Sequence, residues 1–296
     1  MQHLNPDLQH QVDWPAQHRI TNLASNPIIG YPLAKKALDR LEDLLHHPPT
    51  HRMPNLLLVG NTNNGKTVIA NRFVERHKPY SVPGEDFIHV PVLMVQAPPV
   101  PDERRFYNGI LERLFTPYKI NDKVDRKQYQ VMNLLNDVQT KMIIIDEIQH
   151  VLAGNMSKQR SFLNVIKYLS NELQIPIVAV GTKDAFRAIH TDPQLANRFE
   201  PHVLPRWRDC DDYRRLLASF EYNLPLKNPS GLADDAISLK ILSMSEGTLG
   251  EIAAVIRLAA THAINSQQER ITRKLLESLE WLAPSQRKLE ANRLNG

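Results

Sequence analysis

Residues 60–67 read Gly-Asn-Thr-Asn-Asn-Gly-Lys-Thr, a glycine followed after four residues by Gly-Lys-Thr. That spacing suits the capture of a nucleoside triphosphate. Backbone N–H groups of the loop, and those at the start of the helix that follows, face the α- and β-phosphates. Gly60, Asn61, Asn63, Asn64, Gly65 and Val68 are therefore expected nucleotide contacts. Lys66 is expected to reach the β- and γ-phosphates, and the Thr67 hydroxyl to hold Mg²⁺. A glycine-containing turn can match such a pattern by chance, so the flanks decide. An apolar run, Leu56-Leu57-Leu58-Val59, precedes the loop, and a helix-like stretch, Val68–Val74, follows it. Strand, loop and helix in that order turn the pattern into a mechanism.

A second set of residues suits hydrolysis. Met142-Ile-Ile-Ile-Asp146-Glu147 is a short apolar strand ending in two acids, which places them at the sheet edge beside the loop. Asp146 is positioned for the Mg²⁺ shell, and Glu147 to orient and activate the attacking water. Read alone, the pair is also compatible with a solvated helix cap; the phosphate loop earlier in the chain outweighs that account. Thr182 ends the next apolar strand, where its hydroxyl meets the water or the γ-phosphate, or simply closes a Gly-Thr turn. Gln96, at the end of the strand before, is placed to contact Glu147 and restrain it until a partner binds. Arg198, followed by Phe199, suits a finger reaching the γ-phosphate of a neighbouring subunit. On residue type alone, a surface arginine is the better account of it.

The elements that must position these groups follow from periodicity. Residues 1–27 are polar and broken by prolines, and read as an extended or partly ordered arm. Tyr31–Leu45 has helical spacing of apolar residues. Strands are expected at 55–59, 87–95, 142–146 and 175–180, and helices at 103–114, 127–140 and 157–173. Strands alternating with helices across 55–205 give a parallel sheet covered on both faces. Beyond Trp207 only helices are expected, at 210–221, 234–245, 249–265 and 272–282. The domain expectation is an arm (1–27), an α/β nucleotide-binding domain (28–206), a small all-helical domain (207–285) and a frayed tail (286–296).

Composition narrows the partners. The 296 residues are 42% hydrophobic and 23% charged, with formal net charge +4; the pI is about 9.1. This is mildly basic, and compatible with nucleic acid without demanding it. Cys210 is the sole cysteine, so no internal disulfide forms, as suits a reducing interior. No apolar run is long enough to span a membrane, and the N-terminus lacks a signal-peptide pattern. A cytoplasmic location is expected.

Phosphate loop, acid pair, polar strand end, finger arginine and helical lid, in this order, resemble an AAA+ ATPase. Two segments resemble one family more closely. One runs from Ile29-Gly30-Tyr31-Pro32 through Leu45 and then from Arg52-Met53-Pro54-Asn55 to Thr67; the other is Gln194–Trp207. Both are similar to the TniB family, the ATP-dependent target-selection proteins of transposons with a DDE transposase. The similarity covers about residues 14–285. The resemblance implies ATP and Mg²⁺ as ligands and assembly into rings or helical filaments on double-stranded DNA. It also implies recruitment of the transposase and, in CRISPR-associated relatives, contact with a TniQ-type targeting protein. By position it implies phosphate and metal contacts at Lys66 and Thr67, and hydrolytic acids at Asp146 and Glu147. It implies a first sensor at Thr182 and a finger at Arg198. One departure stands out. The usual lid arginine is missing from Ser245–Ile252, and the next arginine is Arg257.

Two basic segments are expected to line a duplex, touching mainly phosphates. One carries Lys119, Asn121 and Lys123, the other Lys158 and Arg160 just after the acid-pair strand. A solvated basic surface accounts for each equally well. Two further readings of the whole chain compete: an AAA+ loader or remodelling ATPase acting on a replication protein, and a nucleotide-dependent scaffold with negligible turnover. Glu147 and Arg198 argue against the scaffold.

Overall fold

The computed structural model of the chain describes residues 3–25 and 31–294. The expected boundary at 27/28, the dipeptide Ile29-Gly30 and the last two tail residues lie outside the described residues. Two compact units emerge: one holds Met1–Lys35, Asn63–Gly65 and Pro205–Gly296, the other Lys36–Thr62 and Lys66–Leu204.

A 3-10 turn, Pro6–Asp13, and helix α1, Ala16–Ser25, open the described chain. Helix α2, Pro32–Leu45, starts on a proline, whose missing N–H costs nothing at a first helical position.

The α/β unit then runs β1 (Asn55–Gly60), α3 (Lys66–Arg76) and a small antiparallel ribbon, β2 (Tyr80–Ser81) with β3 (Ile88–His89). It continues through β4 (Val92–Gln96), α4 (Glu103–Arg113), α5 (Val124–Asp137) and β5 (Met142–Asp146). A 3-10 turn at Ile148–Ala153 leads into α6 (Met156–Leu173), then β6 (Ile177–Gly181), α7 (Asp184–His190), α8 (Pro193–Ala196) and β7 (Phe199–Leu204). The sheet order is β4-β5-β6-β1-β7, with all neighbouring strands parallel. β1, β5 and β6 are buried along their whole length, which is why they read as unbroken apolar runs. Phe106 of α4 meets Phe162 of α6 edge-on at 5.1 Å, inside the core that fixes β5.

The five-stranded sheet departs from expectation at two of its strands. The strand expected over 87–95 is broken at Pro91, which has no N–H to donate to a ladder. Its carbonyl instead accepts the N–H groups of Lys141 and Met142 at 2.9 and 3.1 Å, and β4 begins one residue later. The fifth strand, β7, was not foreseen. It lies at the sheet's edge beside β1, contains Pro201 and is buried only at its two ends, Phe199 and Leu204, so it lacks the continuous apolar signal of the inner strands.

The helical unit contains α9 (Asp211–Tyr222), α10 (Asp235–Ser245), α11 (Leu249–Asn265), α12 (Arg273–Ser278) and α13 (Pro284–Leu294). α12 is shorter than the helix expected to Leu282, and α13 stands where a frayed tail was expected. Residues 3–25 are helical rather than extended, and they belong to this unit. The physical reason is Arg19, whose side chain is only 3% exposed. It donates to both carboxylate oxygens of Glu269 at 2.9 and 2.6 Å and also to the Pro225 carbonyl. Nothing in the local sequence announces that partner 250 residues away.

This pair yields a stability prediction. Arg19→Ala strands Glu269 and should cost roughly 3–5 kcal/mol in urea unfolding. The double variant with Glu269→Met should recover much of the loss, whereas an unchanged midpoint in the single variant would show that solvent screens the pair. Burial pushes the Glu269 carboxyl up, but hydrogen bonding and charge from Arg19, helped by Lys227, hold it below its ordinary 4.5. Its folded value is depressed, so its contribution is present above 4.5 and fades as pH falls through the lower folded value. Arg19→Ala should flatten that acid-side loss.

Candidate nucleotide site

The loop after β1 turns through two left-handed residues, Asn63 at φ 60° and Gly65 at φ 82°. Asparagine tolerates that region better than most residues, and glycine enters it freely. Lys66 opens α3 and is 7% exposed, with Nζ donating to the Asn61 carbonyl at 2.7 Å. Burial lowers its pKa, while the charges of Glu147 and then Asp146 oppose the shift. Both carboxylates therefore sit within electrostatic reach of the ammonium. Thr67 donates its hydroxyl to Asp146 Oδ2 at 2.9 Å, and Asp146 Oδ1 accepts the Glu147 N–H at the same distance. A hydroxyl and a carboxylate so paired are hard oxygen donors, and they fit Mg²⁺, which takes few protein ligands and keeps several waters.

Glu147 stands at φ 56°, an uncommon conformation for a residue with a Cβ. Its carboxylate accepts a hydrogen bond from the Gln149 side-chain amide. The oxygen of that amide accepts the Thr182 N–H at 3.1 Å. Glu147 thus has Gln149 as its partner, where Gln96 was expected. Gln96 pairs in register with Asp146 across β4 and β5, and is itself exposed. Sequence reasoning passed over Gln149, although its place two residues beyond Glu147 was a usable signal.

Arg198 immediately precedes β7, and its carbonyl accepts the Asn55 N–H at 2.9 Å. Asn55 begins β1 and Gly60 ends it. With β7 parallel to β1, Arg198 lies at the sheet edge opposite the phosphate loop of its own subunit, about 17 Å along the strands. Its guanidinium donates to Asn171 Oδ1 at 2.7 Å. Arg198 therefore lies out of reach of the phosphate loop of its own chain.

Lys119, Asn121 and Lys123 are exposed between α4 and α5. Lys127, at the end of that basic segment, is buried instead. Its Nζ donates to Asn108 Oδ1 and the Lys119 carbonyl, both at 2.7 Å, and lies 4.3 Å from the Tyr118 ring centroid. Lys158 and Arg160 are exposed at the start of α6, and Asn155 caps that helix by accepting the Lys158 N–H.

Within the helical unit, the start of α11 packs on the loop apex. The Gly250 N–H donates to the Asn63 carbonyl at 2.9 Å, and the Leu249 N–H to Asn64 Oδ1 at 3.3 Å. A Cβ at position 250 would fall 1.9 Å from Asn63 Oδ1. Glu251 accepts from Asn63 Nδ2 at 3.2 Å and is paired with Arg287 of α13. Where a lid arginine was looked for, the chain needs a glycine. Arg257 is exposed farther along α11.

A five-stranded parallel sheet, a phosphate loop after β1, acids ending β5 with β6 between them, and a following helical unit define the AAA+ fold. The family described as "Bacterial TniB protein" matches residues 19–209, and the chain belongs to it. Solved structures agree on the fold. The Aeropyrum pernix ORC1 protein in complex with DNA superposes with a TM-score of 0.60, at 19% identity over 85% of this chain and 65% of that one. Cdc6p from Pyrobaculum aerophilum gives 0.59 at 15% identity over 83% and 66% of the two chains. Drosophila ORC bound to DNA gives 0.55 at 13% identity, over 93% and 69%. This chain thus spans just under two thirds of the length of the two archaeal proteins. No curated protein matches the sequence. Among the described residues, no helix is long and apolar enough to cross a membrane.

Proposed function

We propose that the protein is an ATP-dependent, DNA-binding regulator of DNA transposition. With ATP it oligomerises on double-stranded target DNA as a ring or helical filament and recruits a DDE transposase there. Hydrolysis then drives disassembly. The observation that carries the reading is membership of the TniB family, supported by the Thr67–Asp146 contact at the phosphate loop. A TniQ-type targeting protein is the second partner to test, and the expected location is the cytoplasm.

In this reading Lys66 leaves the Asn61 carbonyl for the β- and γ-phosphates, while loop N–H groups hold the α- and β-phosphates. Thr67 and Asp146 hold Mg²⁺, which when bound supplies charge neutralisation at the phosphate oxygens. Glu147 accepts a proton from the attacking water, and Thr182 orients that water or the γ-phosphate. Arg198 stabilises charge on the γ-phosphate of the adjacent subunit, so hydrolysis requires assembly. Lys119, Asn121, Lys123, Lys158 and Arg160 contact DNA phosphates, giving little sequence preference and a steep salt dependence. DNA stands in the descriptions of two of the similar structures; at such low identity it supports the reading without carrying it. For the same reason, the likeness to origin proteins does not favour a replication loader.

The test is electron microscopy of the purified protein on linear duplex DNA with ATP, a non-hydrolysable analogue, ADP or no nucleotide. Rings or filaments only with the triphosphate forms are expected. Absence of any DNA-bound assembly would overturn the reading in favour of a loader that needs a protein partner.

A further inference from the structure

Gln149 lies on the 3-10 turn after the acid pair, and its side-chain amide spans two groups of the site. Nε2 donates to Glu147 Oε2, and Oε1 accepts the Thr182 N–H at 3.1 Å. Chemistry settles the amide's orientation. An ionised carboxylate only accepts and a backbone N–H only donates, so the flipped amide would oppose both partners.

The neighbouring strand makes room for this bridge. A Cβ on Gly181, the last residue of β6, would fall 2.4 Å from Gln149 Oε1 and 3.0 Å from Ile148 Cγ2. With Ala185 Cβ also only 2.9 Å away, a methyl at 181 would have to displace the amide or shift its neighbours. On the other side, Glu147 holds a left-handed backbone at φ 56°. Such a conformation persists only where surrounding contacts over-determine it, and it recurs where a side chain must be aimed. The Glu147 charge acts on Lys66, and the Glu147 N–H donates to Asp146 Oδ1 at 2.9 Å.

The geometry points to Gln149 as the positioning residue of the hydrolytic site, holding the Glu147 carboxylate in place and tying it to the strand end at Thr182. It deepens the proposed ATPase reading and rests on it. Gln149 need touch neither nucleotide nor water. It sets where the Glu147 carboxylate sits, and any shift of Thr182 on meeting the γ-phosphate reaches Glu147 through one amide. A small misplacement of a catalytic group can cost about 100-fold in rate, which sets the scale of the effect.

The test uses the full-length protein with duplex DNA. Gln149→Met keeps the side chain's length and removes both hydrogen bonds. It should lower kcat roughly 10- to 100-fold, while KM for ATP, affinity for a non-hydrolysable analogue and the thermal midpoint stay near wild type. Added to Glu147→Gln, it should lower single-turnover hydrolysis no further, because residues acting as one unit are not additive. Gly181→Ala, which drives a methyl into the amide, should reproduce the kcat loss; Gln149→Asn, too short to bridge, replaces Gln149→Met if that variant does not fold. Suppose wild type hydrolyses ATP and Glu147→Gln is slowed to its low residual rate, yet Gln149→Met runs at the wild-type rate or its effect adds in the double variant. Then the positioning role is wrong and the ATPase reading stands. A wild-type protein that hydrolyses no ATP on DNA overturns both.

Discussion

Glu147→Gln should leave ATP binding intact and cut turnover about 100- to 10,000-fold, the range that a positioned general base contributes. The substitution preserves size and still offers Gln149 a carbonyl oxygen to donate to. It removes the basic oxygen that takes the water's proton. Asp146, bonded to the Thr67 hydroxyl at 2.9 Å, is engaged elsewhere and is poorly placed to substitute. Binding and chemistry should therefore separate. The variant should titrate a fluorescent ATP analogue like wild type and show almost no phosphate release. On duplex DNA its assemblies should persist in ATP as long as wild type persists with a non-hydrolysable analogue. A variant that still turns over at a tenth of the wild-type rate would show that another residue activates the water.

Much of this site was legible in the sequence, because its parts are local. A phosphate loop folds from consecutive residues, and an apolar strand such as Met142–Ile145 delivers the acids that follow it to the sheet edge. What escaped notice depends on contacts between distant segments. Gln149 looks like an ordinary polar residue on a turn until Gly181 and Thr182 of the next strand come beside it. Arg19 falls in a stretch that reads as an arm, and only Glu269, far along the chain, makes it a buried anchor. Lys127 reads as one more surface cation, yet the Tyr118 ring and the Lys119 carbonyl enclose it. β7 hid for another reason: an edge strand with a proline carries neither alternation nor an unbroken apolar run. Periodicity reports burial along one element, whereas these residues get their roles from the element packed against them.

Arg198→Ala should lower DNA-stimulated hydrolysis by about 10³- to 10⁵-fold, the contribution of an arginine finger, with little loss of ATP affinity. The stronger expectation concerns mixtures. Arg198 lies at the sheet edge opposite its own phosphate loop, so as a finger it can serve only a neighbour. Arg198→Ala keeps a complete loop and lacks the finger; Lys66→Ala keeps the finger and lacks a working loop. Each alone should be inactive. Mixed in equal amounts on DNA, they create interfaces where an intact loop meets an intact Arg198. Random assembly makes about one interface in four of that kind, so the mixture should recover up to roughly a quarter of wild-type activity. The recovered rate should collapse on dilution or at high salt, where the assembly comes apart. The Asn171 contact supplies a control: Asn171→Ala frees the Arg198 guanidinium without removing it, and should leave the mixture's behaviour intact. Inactivity of the mixture under conditions where wild type hydrolyses ATP would mean that Arg198 acts on no neighbouring nucleotide. Its hydrogen bond to Asn171 would then be its whole role, and the γ-phosphate would have to draw its positive charge from another residue.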